Sequence, residues 1–367
     1  MPSSAFERVD GEAPAFNLEA PERIRGRYII GLSDGAGHVS ARAANLAMSH
    51  RGTVRREFAT INAFEAELPE EAIAQVRRRP EVAYVEAVMP IQAFAPTNVV
   101  QVGANMPLDR IDQRGLPLDG AYTYDPQWTG AGVRAWIVDK GVNPNNPELA
   151  GRVDMGLFMT TYAGTSAFVP CGTHGDSVAT YAAGTSSSVA RAATINVARI
   201  YDAGCQANSG DVITAITWIM GNSSQPAVIN LSFGTIGSSP SMDNSVRYAA
   251  NHGVPVVVAA GNDNTNACYV TPAKTGEAIT VGATVPYLDA KDPYSNWGNC
   301  VDIFAPMVSW GGTSYAAGLT TGQVAVLLQQ DPSRTPNVIM QLMAANATQG
   351  VLTGIGATSP NRLLYVR

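Results

Sequence analysis

The chain has 367 residues, 46% of them hydrophobic and 15% charged. At roughly 150 residues per domain this suggests two or three packed domains and excludes wholesale disorder. Its 24 Lys and Arg against 30 Asp and Glu leave a net charge of −6, and the one basic run, Arg77 to Arg79, lies among glutamates, so nucleic acid is not an expected partner.

Residues 1–26 read as a loose polar leader, rich in Glu and without the apolar core of a secretory signal. Tyr28-Ile29-Ile30-Gly31-Leu32 predicts a strand, and Ser40 to His50 an Ala-rich helix. Phe58, Ile61, Phe64, Ala66 and Leu68 predict a strand over 57–68 with a turn at Asn62. Pro69-Glu70-Glu71 opens a second helix through Val76, and Val82 to Glu86 is a closing strand. Residues 27–90 therefore form a small α+β domain without a catalytic constellation. Residues 91–104 contain Pro96 and several Ala but no charge, and read as a linker between domains.

Beyond it the pattern is α/β. Apolar runs at 133–139, 194–200, 227–233, 254–260 and 278–283 predict buried parallel strands. Helical stretches at 174–183, 211–221, 241–252 and 314–330 alternate with them. Residues 105–367 therefore predict a doubly wound parallel sheet, whose chemistry belongs at the C-terminal ends of the strands. No apolar run approaches the roughly 20 residues that span a membrane.

The strand ends carry reactive groups. Asp139 ends the first strand of that sheet, where a buried carboxylate needs a partner. Of the four histidines, His174 and His252 lie in this part of the chain. His252 precedes Gly253 at a helix end and reads as a cap. His174 opens a helix, flanked by Gly172 and Gly175. Ser314, in Gly311-Gly312-Thr313-Ser314-Tyr315-Ala316-Ala317, stands at a helix N-terminus whose field favours developing negative charge. A serine needs an adjacent base to act as a nucleophile. The four cysteines are Cys171, Cys205, Cys268 and Cys300, without metal-binding spacing. They fit two disulfides and an oxidising compartment, or else four buried free thiols.

Several of these segments together resemble one family. Ala135-Trp136-Ile137-Val138-Asp139-Lys140-Gly141-Val142 looks like the aspartate motif of the subtilisin-like serine proteases, the subtilases. His174-Gly175-Asp176-Ser177-Val178-Ala179 resembles their histidine motif, and Gly312-Thr313-Ser314 their serine motif. The chain order Asp, His, Ser is theirs too. Leu108 to Arg114, Ala259 to Asn264 and Ser359 to Tyr365 are similar to segments of the proteinase K and aqualysin group. Residues 27–90 look like the inhibitor propeptide of these enzymes, through Ile61-Asn62-Ala63-Phe64 and Tyr84-Val85-Glu86.

The resemblance implies a secreted serine endopeptidase, made as a zymogen and acting on peptides and proteins as a monomer. Its own propeptide would serve as inhibitor and folding aid. Ser314 would be the nucleophile, His174 the base, Asp139 its orienting acid and Asn262 an oxyanion donor. Leu231-Ser232-Phe233-Gly234 and Ala260-Gly261 would bind substrate, the first as a strand edge. Disulfides Cys171–Cys205 and Cys268–Cys300 are implied, each closing a loop that contributes about 2–4 kcal/mol. The chemistry needs no cofactor, while Asp302 with the carbonyls of Gly276 and Ala278 matches a structural calcium site of the group.

The chain also departs from the family near the site. Lys140 stands where the family has a small hydroxyl residue, and Asp176 where Thr is usual. The family's Met-Ala-Thr-Pro-His run after the serine is here Tyr315-Ala316-Ala317-Gly318-Leu319. A hairpin much longer in the family is reduced to Met307, Val308, Ser309, Trp310 and Gly311. A pseudoprotease that keeps the groove as a binding module, or a peptide ligase, is the alternative expectation. Self-cleavage between about Phe94 and Val100 would mark the active enzyme.

Overall fold

Alternating apolar residues in the N-terminal segment build a sheet with one covered face. The computed structural model describes residues 7–21, 23–33, 39–89, 98–307 and 312–366, and the chain divides into two compact units, residues 1–95 and 96–367. The first unit contains β1 (Ala15–Phe16), β2 (Arg27–Leu32), α1 (Val39–Ser49), β3 (Thr53–Phe58), β4 (Ala63–Glu67), α2 (Ile73–Arg78) and β5 (Val82–Ala87). Their sheet order is β1-β5-β2-β4-β3. Ile30, Phe64 and Val85 from the strands pack with Leu46 and Val76 from the helices. The strand expected over 57–68 is two strands, because Asn62 turns the chain with φ +49° after a short 3-10 segment, Ala59–Ile61.

The leader expected to be loose is partly built into this unit. Ala15 and Phe16 add a parallel strand to β5, Ala13 is fully buried, and its N–H donates to the Arg77 carbonyl at 2.8 Å. The physical reason is that an uncovered β5 edge would leave a row of backbone donors and acceptors unpaired, and polar composition does not reveal backbone pairing.

The second unit opens with β6 (Val99–Val102), α3 (Met106–Ile111), β7 (Ala121–Tyr124), β8 (Arg134–Asp139), β9 (Met159–Thr160), α4 (His174–Ala183) and β10 (Thr194–Arg199). It continues through α5 (Ser209–Asn222), β11 (Ala227–Leu231), β12 (Thr235–Ile236), α6 (Pro240–Asn251), β13 (Val256–Ala259) and β14 (Val270–Thr271). It closes with β15 (Ile279–Val285), β16 (Ala290–Lys291), β17 (Ile303–Pro306), α7 (Gly312–Gln330), α8 (Pro336–Asn346), β18 (Thr348–Gln349) and β19 (Arg362–Leu363).

The main sheet runs β18-β19-β17-β15-β13-β11-β8-β10-β9. Its central strands, from β9 to β19, are parallel. Side chains of β8 alternate between two cores. Ala135 and Ile137 face α4 and α7, with Val178, Ala182, Ala317 and Val324. Trp136 and Val138 face α5 and α6, with Val212, Ile216, Met242 and Val246. This is the α/β architecture expected of continuous apolar strands, doubly wound, with β8 between β10 and β11, both later in the chain.

Part of the stretch expected as a linker over 91–104 is a strand. Residues 91–97 lie outside the described residues, but Val99–Val102 pairs antiparallel with β7. Gln101 donates to the Ser186 carbonyl at 3.1 Å, and Arg191 donates to Gln101. The β-branched Val-Val-Gln-Val finds its partner about twenty residues on, a distance that composition does not encode.

Candidate active site

Asp139 is the last residue of β8 and is 1% exposed. A carboxylate that deep needs donors. It receives the Lys140 backbone N–H at 2.7 Å on Oδ1. The His174 Nδ1 lies 2.9 Å from Oδ1 and 2.8 Å from Oδ2. His174 is the first residue of α4, and Gly175 lets that helix start against the end of β8. A Cβ there would stand 2.1 Å from the Gly141 carbonyl oxygen. The imidazole is held on its Nδ1 side, and about a third of its side-chain surface stays open (32%).

Ser314 lies in the first turn of α7 and is 8% exposed. Its hydroxyl donates to the Ser232 carbonyl at 3.1 Å, while the Ser232 hydroxyl lies 2.8 Å from the Ser314 carbonyl. Among the described residues no hydrogen bond joins Ser314 to His174. The two are brought into one region by α4 packing on α7, and the ring of Tyr315 stands 6.0 Å from the imidazole. Apo hydrogen bonds of such sites often tighten only with substrate. Val308, Ser309, Trp310 and Gly311, the shortened stretch ahead of Ser314, lie outside the described residues.

Asn262 follows β13. Its Oδ1 accepts from the Thr313 backbone N–H and from the Thr313 hydroxyl, both at 2.9 Å. A backbone N–H can only donate, so the amide oxygen is fixed toward Thr313 and the Nδ2 hydrogens face away from it. Gly261 N–H in turn donates to the Thr313 hydroxyl oxygen at 3.1 Å. Sequence reasoning missed the residue that shapes this loop, Asn296, which is fully buried. Its Nδ2 donates to the Ala260 carbonyl at 2.8 Å, and its Oδ1 accepts the Asp263 and Thr265 N–H groups at 3.1 and 2.9 Å. A lone Asn in a turn carries no periodic signal that would have flagged it.

Leu231, expected as part of a strand edge, does not lie at one. Leu231 is fully buried and pairs on both sides, with Val138 and with Val258. Ala260 is also fully buried; its N–H donates to Val281 and its carbonyl accepts from Asn296. Sheet position explains this, because β11 lies between β13 and β8, and Ala260 directly follows the interior strand β13. Ser232 is buried too, whereas Phe233 is half-buried and Gly234 exposed, and these two line a cleft of about 470 Å³ with Tyr201, Val212, Ile236 and Met242.

The departures near Asp139 have definite places. The Lys140 ammonium lies over the Tyr201 ring, 5.4 Å from its centroid, and only the backbone of Lys140 bonds to Asp139. Burial, and then the charge of Asp139, push the Tyr201 hydroxyl up to about 12. Asp176, in the first turn of α4, accepts the Asn143 N–H and so ties α4 to the loop after β8. Burial and the charge of Asp139 hold its carboxyl above the ordinary range, against the lowering by that N–H. His252 caps α6, with Nδ1 2.7 Å from the Tyr248 carbonyl.

Both disulfides are present, Cys171–Cys205 and Cys268–Cys300. The first anchors the segment just before His174 to the segment after β10. Asp302 accepts the Thr280 N–H on Oδ2 at 2.8 Å, and burial pushes its carboxyl up to about 6. Among the described residues no group of three or more His, Cys, Asp or Glu is arranged to hold a metal. A buried acid whose ionised form is penalised still fits a hard cation, provided that most ligands are carbonyls and water.

The subtilase family model matches residues 130–361. The chain is 38% identical to the extracellular serine proteinase of Thermus sp. (strain Rt41A) over 389 residues, covering 96% of this chain and 92% of that protein. It is 34% identical to alkaline serine exoprotease A of Vibrio alginolyticus over 83% of this chain, spanning 59% of that longer protein. A cold adapted subtilisin-like serine proteinase of known structure superposes with a TM-score of 0.67 at 34% identity, over 72% of this chain and 99% of that one. With the acid, the imidazole and the helix-borne serine in this order on this sheet, the chain belongs to the subtilase family of serine endopeptidases.

Proposed function

We propose that the chain hydrolyses peptide bonds through Ser314, His174 and Asp139, and the observation that carries this is the 2.8 Å contact of His174 with a buried Asp139 at the head of the helix packed on α7. The Ser314 hydroxyl turns from the Ser232 carbonyl to the imidazole Nε2, which takes its proton as the Oγ–C bond forms. Asp139 keeps Nδ1 protonated and stabilises the imidazolium. The oxyanion is met by the Asn262 Nδ2 and the Ser314 N–H. The imidazolium then protonates the leaving amine, and water repeats the sequence to release the acid from Ser314. The test is labelling by a fluorophosphonate. Wild type is expected to be labelled on Ser314 and to digest casein, and Ser314→Ala to lose both, with turnover falling about 10⁶-fold. An unlabelled, inactive wild type would leave a binding module instead.

In this reading the first unit acts as a propeptide, both inhibitor and folding aid, and is removed by self-cleavage. The scissile bond then lies before Val99, because β6 is already paired with β7 and a bond inside it is not free to enter a cleft. N-terminal sequencing of the matured chain tests this. The two disulfides and the extracellular relative support secretion and an oxidising compartment. Asp302, with the carbonyls of Gly276 and Ala278, would hold a structural calcium ion that neutralises the buried charge. Calcium is expected to raise Tm in the wild type and to leave Asp302→Asn unmoved; equal shifts in both would place the ion elsewhere.

A further inference from the structure

Nothing in hydrolysis by Ser314, His174 and Asp139 accounts for the face of α4 and α7 that lies beside the imidazole. Tyr181 sits seven residues after His174 on α4, two helical turns along the same face. Tyr315 directly follows Ser314 on α7. The Tyr181 and Tyr315 rings stack at 5.3 Å with an interplanar angle of 27°. The Tyr315 and His174 rings lie 6.0 Å apart at 40°. Tyr315 thus stands between the imidazole and Tyr181.

The seat for these rings requires the two helices to run unusually close. Gly318 is three residues after Tyr315, on the same side of α7. A Cβ at Gly318 would stand 2.9 Å from the Val178 carbonyl oxygen and 3.3 Å from the Tyr181 Cβ. One turn further, a Cβ at Gly322 would meet the Ala182 carbonyl oxygen at 2.7 Å. Side chains at either position would push α7 off α4 and separate the rings. Tyr315 and Gly318 are both positions where this chain departs from the usual run after the serine. Their joint appearance around one ring stack points to a single device rather than two unrelated changes.

We propose that Tyr315 is a positioning residue for His174, with Tyr181 behind it and Gly318 making room. Asp139 holds the imidazole at Nδ1 but leaves its face open. The Tyr315 ring restrains that face, and its electron-rich surface favours the imidazolium that forms when the serine proton arrives. This rests on the reading of Ser314, His174 and Asp139 as the reacting groups. A ring that only filled space would change stability and leave turnover alone.

The full chain is allowed to mature, and steady-state hydrolysis of a chromogenic peptide anilide, the rate of fluorophosphonate labelling and Tm are measured on each variant. Tyr315→Phe, which keeps the ring, is expected to hold kcat within about twofold. Tyr315→Leu is expected to lower kcat and the labelling rate about tenfold, with KM within about twofold. Tyr181→Leu removes the back of the stack without touching the imidazole; a loss of about threefold in kcat is expected, and this variant carries the test if Tyr315→Leu does not fold. The inference is overturned if Tyr315→Leu loses Tm but keeps kcat, if Tyr315→Phe falls as far as the Leu variant, or if Tyr181→Leu leaves kcat and the labelling rate unchanged where it must stand in. A labelled wild type with an equally fast Tyr315→Leu overturns this inference alone, while an unlabelled wild type overturns the nucleophile assignment and this with it.

Discussion

Asp139 and His174 meet through contacts of 2.8 and 2.9 Å at the end of an interior strand, whereas Ser314 rests its hydroxyl on the Ser232 carbonyl 3.1 Å away. The acid side has no freedom, because a carboxylate that is 1% exposed loses several kcal/mol if its donors leave. The serine side is held by a hydrogen bond between neutral groups, worth about 1 kcal/mol net. One half of the site is therefore built in by folding, and the other is exchangeable. In the proposed mechanism a substrate has only to compete for one carbonyl to free Ser314.

The comparison breaks most sharply at the acid. Asp139→Asn keeps the shape but presents an amide to Nδ1, and kcat is expected to fall about 10⁴-fold with little change in KM. A loss below about tenfold would mean that His174 is oriented by something else. Next in size is Asn262→Ala, which removes the amide that the proposed mechanism aims at the developing oxyanion. A fall of about 10²–10³ in kcat at similar KM is expected from the same assay. The smallest expected effect on turnover is that of Ser232→Ala, which removes a hydroxyl lying 2.8 Å from both Asn230 Oδ1 and the Ser314 carbonyl. Urea unfolding should lose about 1 kcal/mol, with kcat within a few fold, since the carbonyl that receives Ser314 remains. Should Ser232→Ala cost as much turnover as Asn262→Ala, the serine side would be as rigid as the acid side and the contrast would fail.

Much of this was legible in the chain. Val133 to Asp139 reads as an interior strand because both faces of a parallel sheet are covered, and the acid at its end reads as functional because strand ends face the crevice. His174 to Ala183 was expected as a helix and is one, from first residue to last. The 99–102 strand and the strand added by the leader were not legible, because each depends on a backbone partner far along the chain. The edge expected at Leu231 comes from the family resemblance, not from its own pattern. Its apolar run shows that it is buried, but which strands flank it is decided only by sheet order.

Sequence alone determined the class of the two units, the order of acid, imidazole and alcohol, and the helix that begins at His174. Those follow from local periodicity and from the cost of burying charge, which act within a few residues. The tertiary structure decided where the Ser314 hydroxyl rests, how Asn296 shapes the loop that carries Asn262, and that Tyr315 stands beside the imidazole. Each of these is a contact between segments far apart in the chain, set by how closely two elements pack, and no local pattern records that separation.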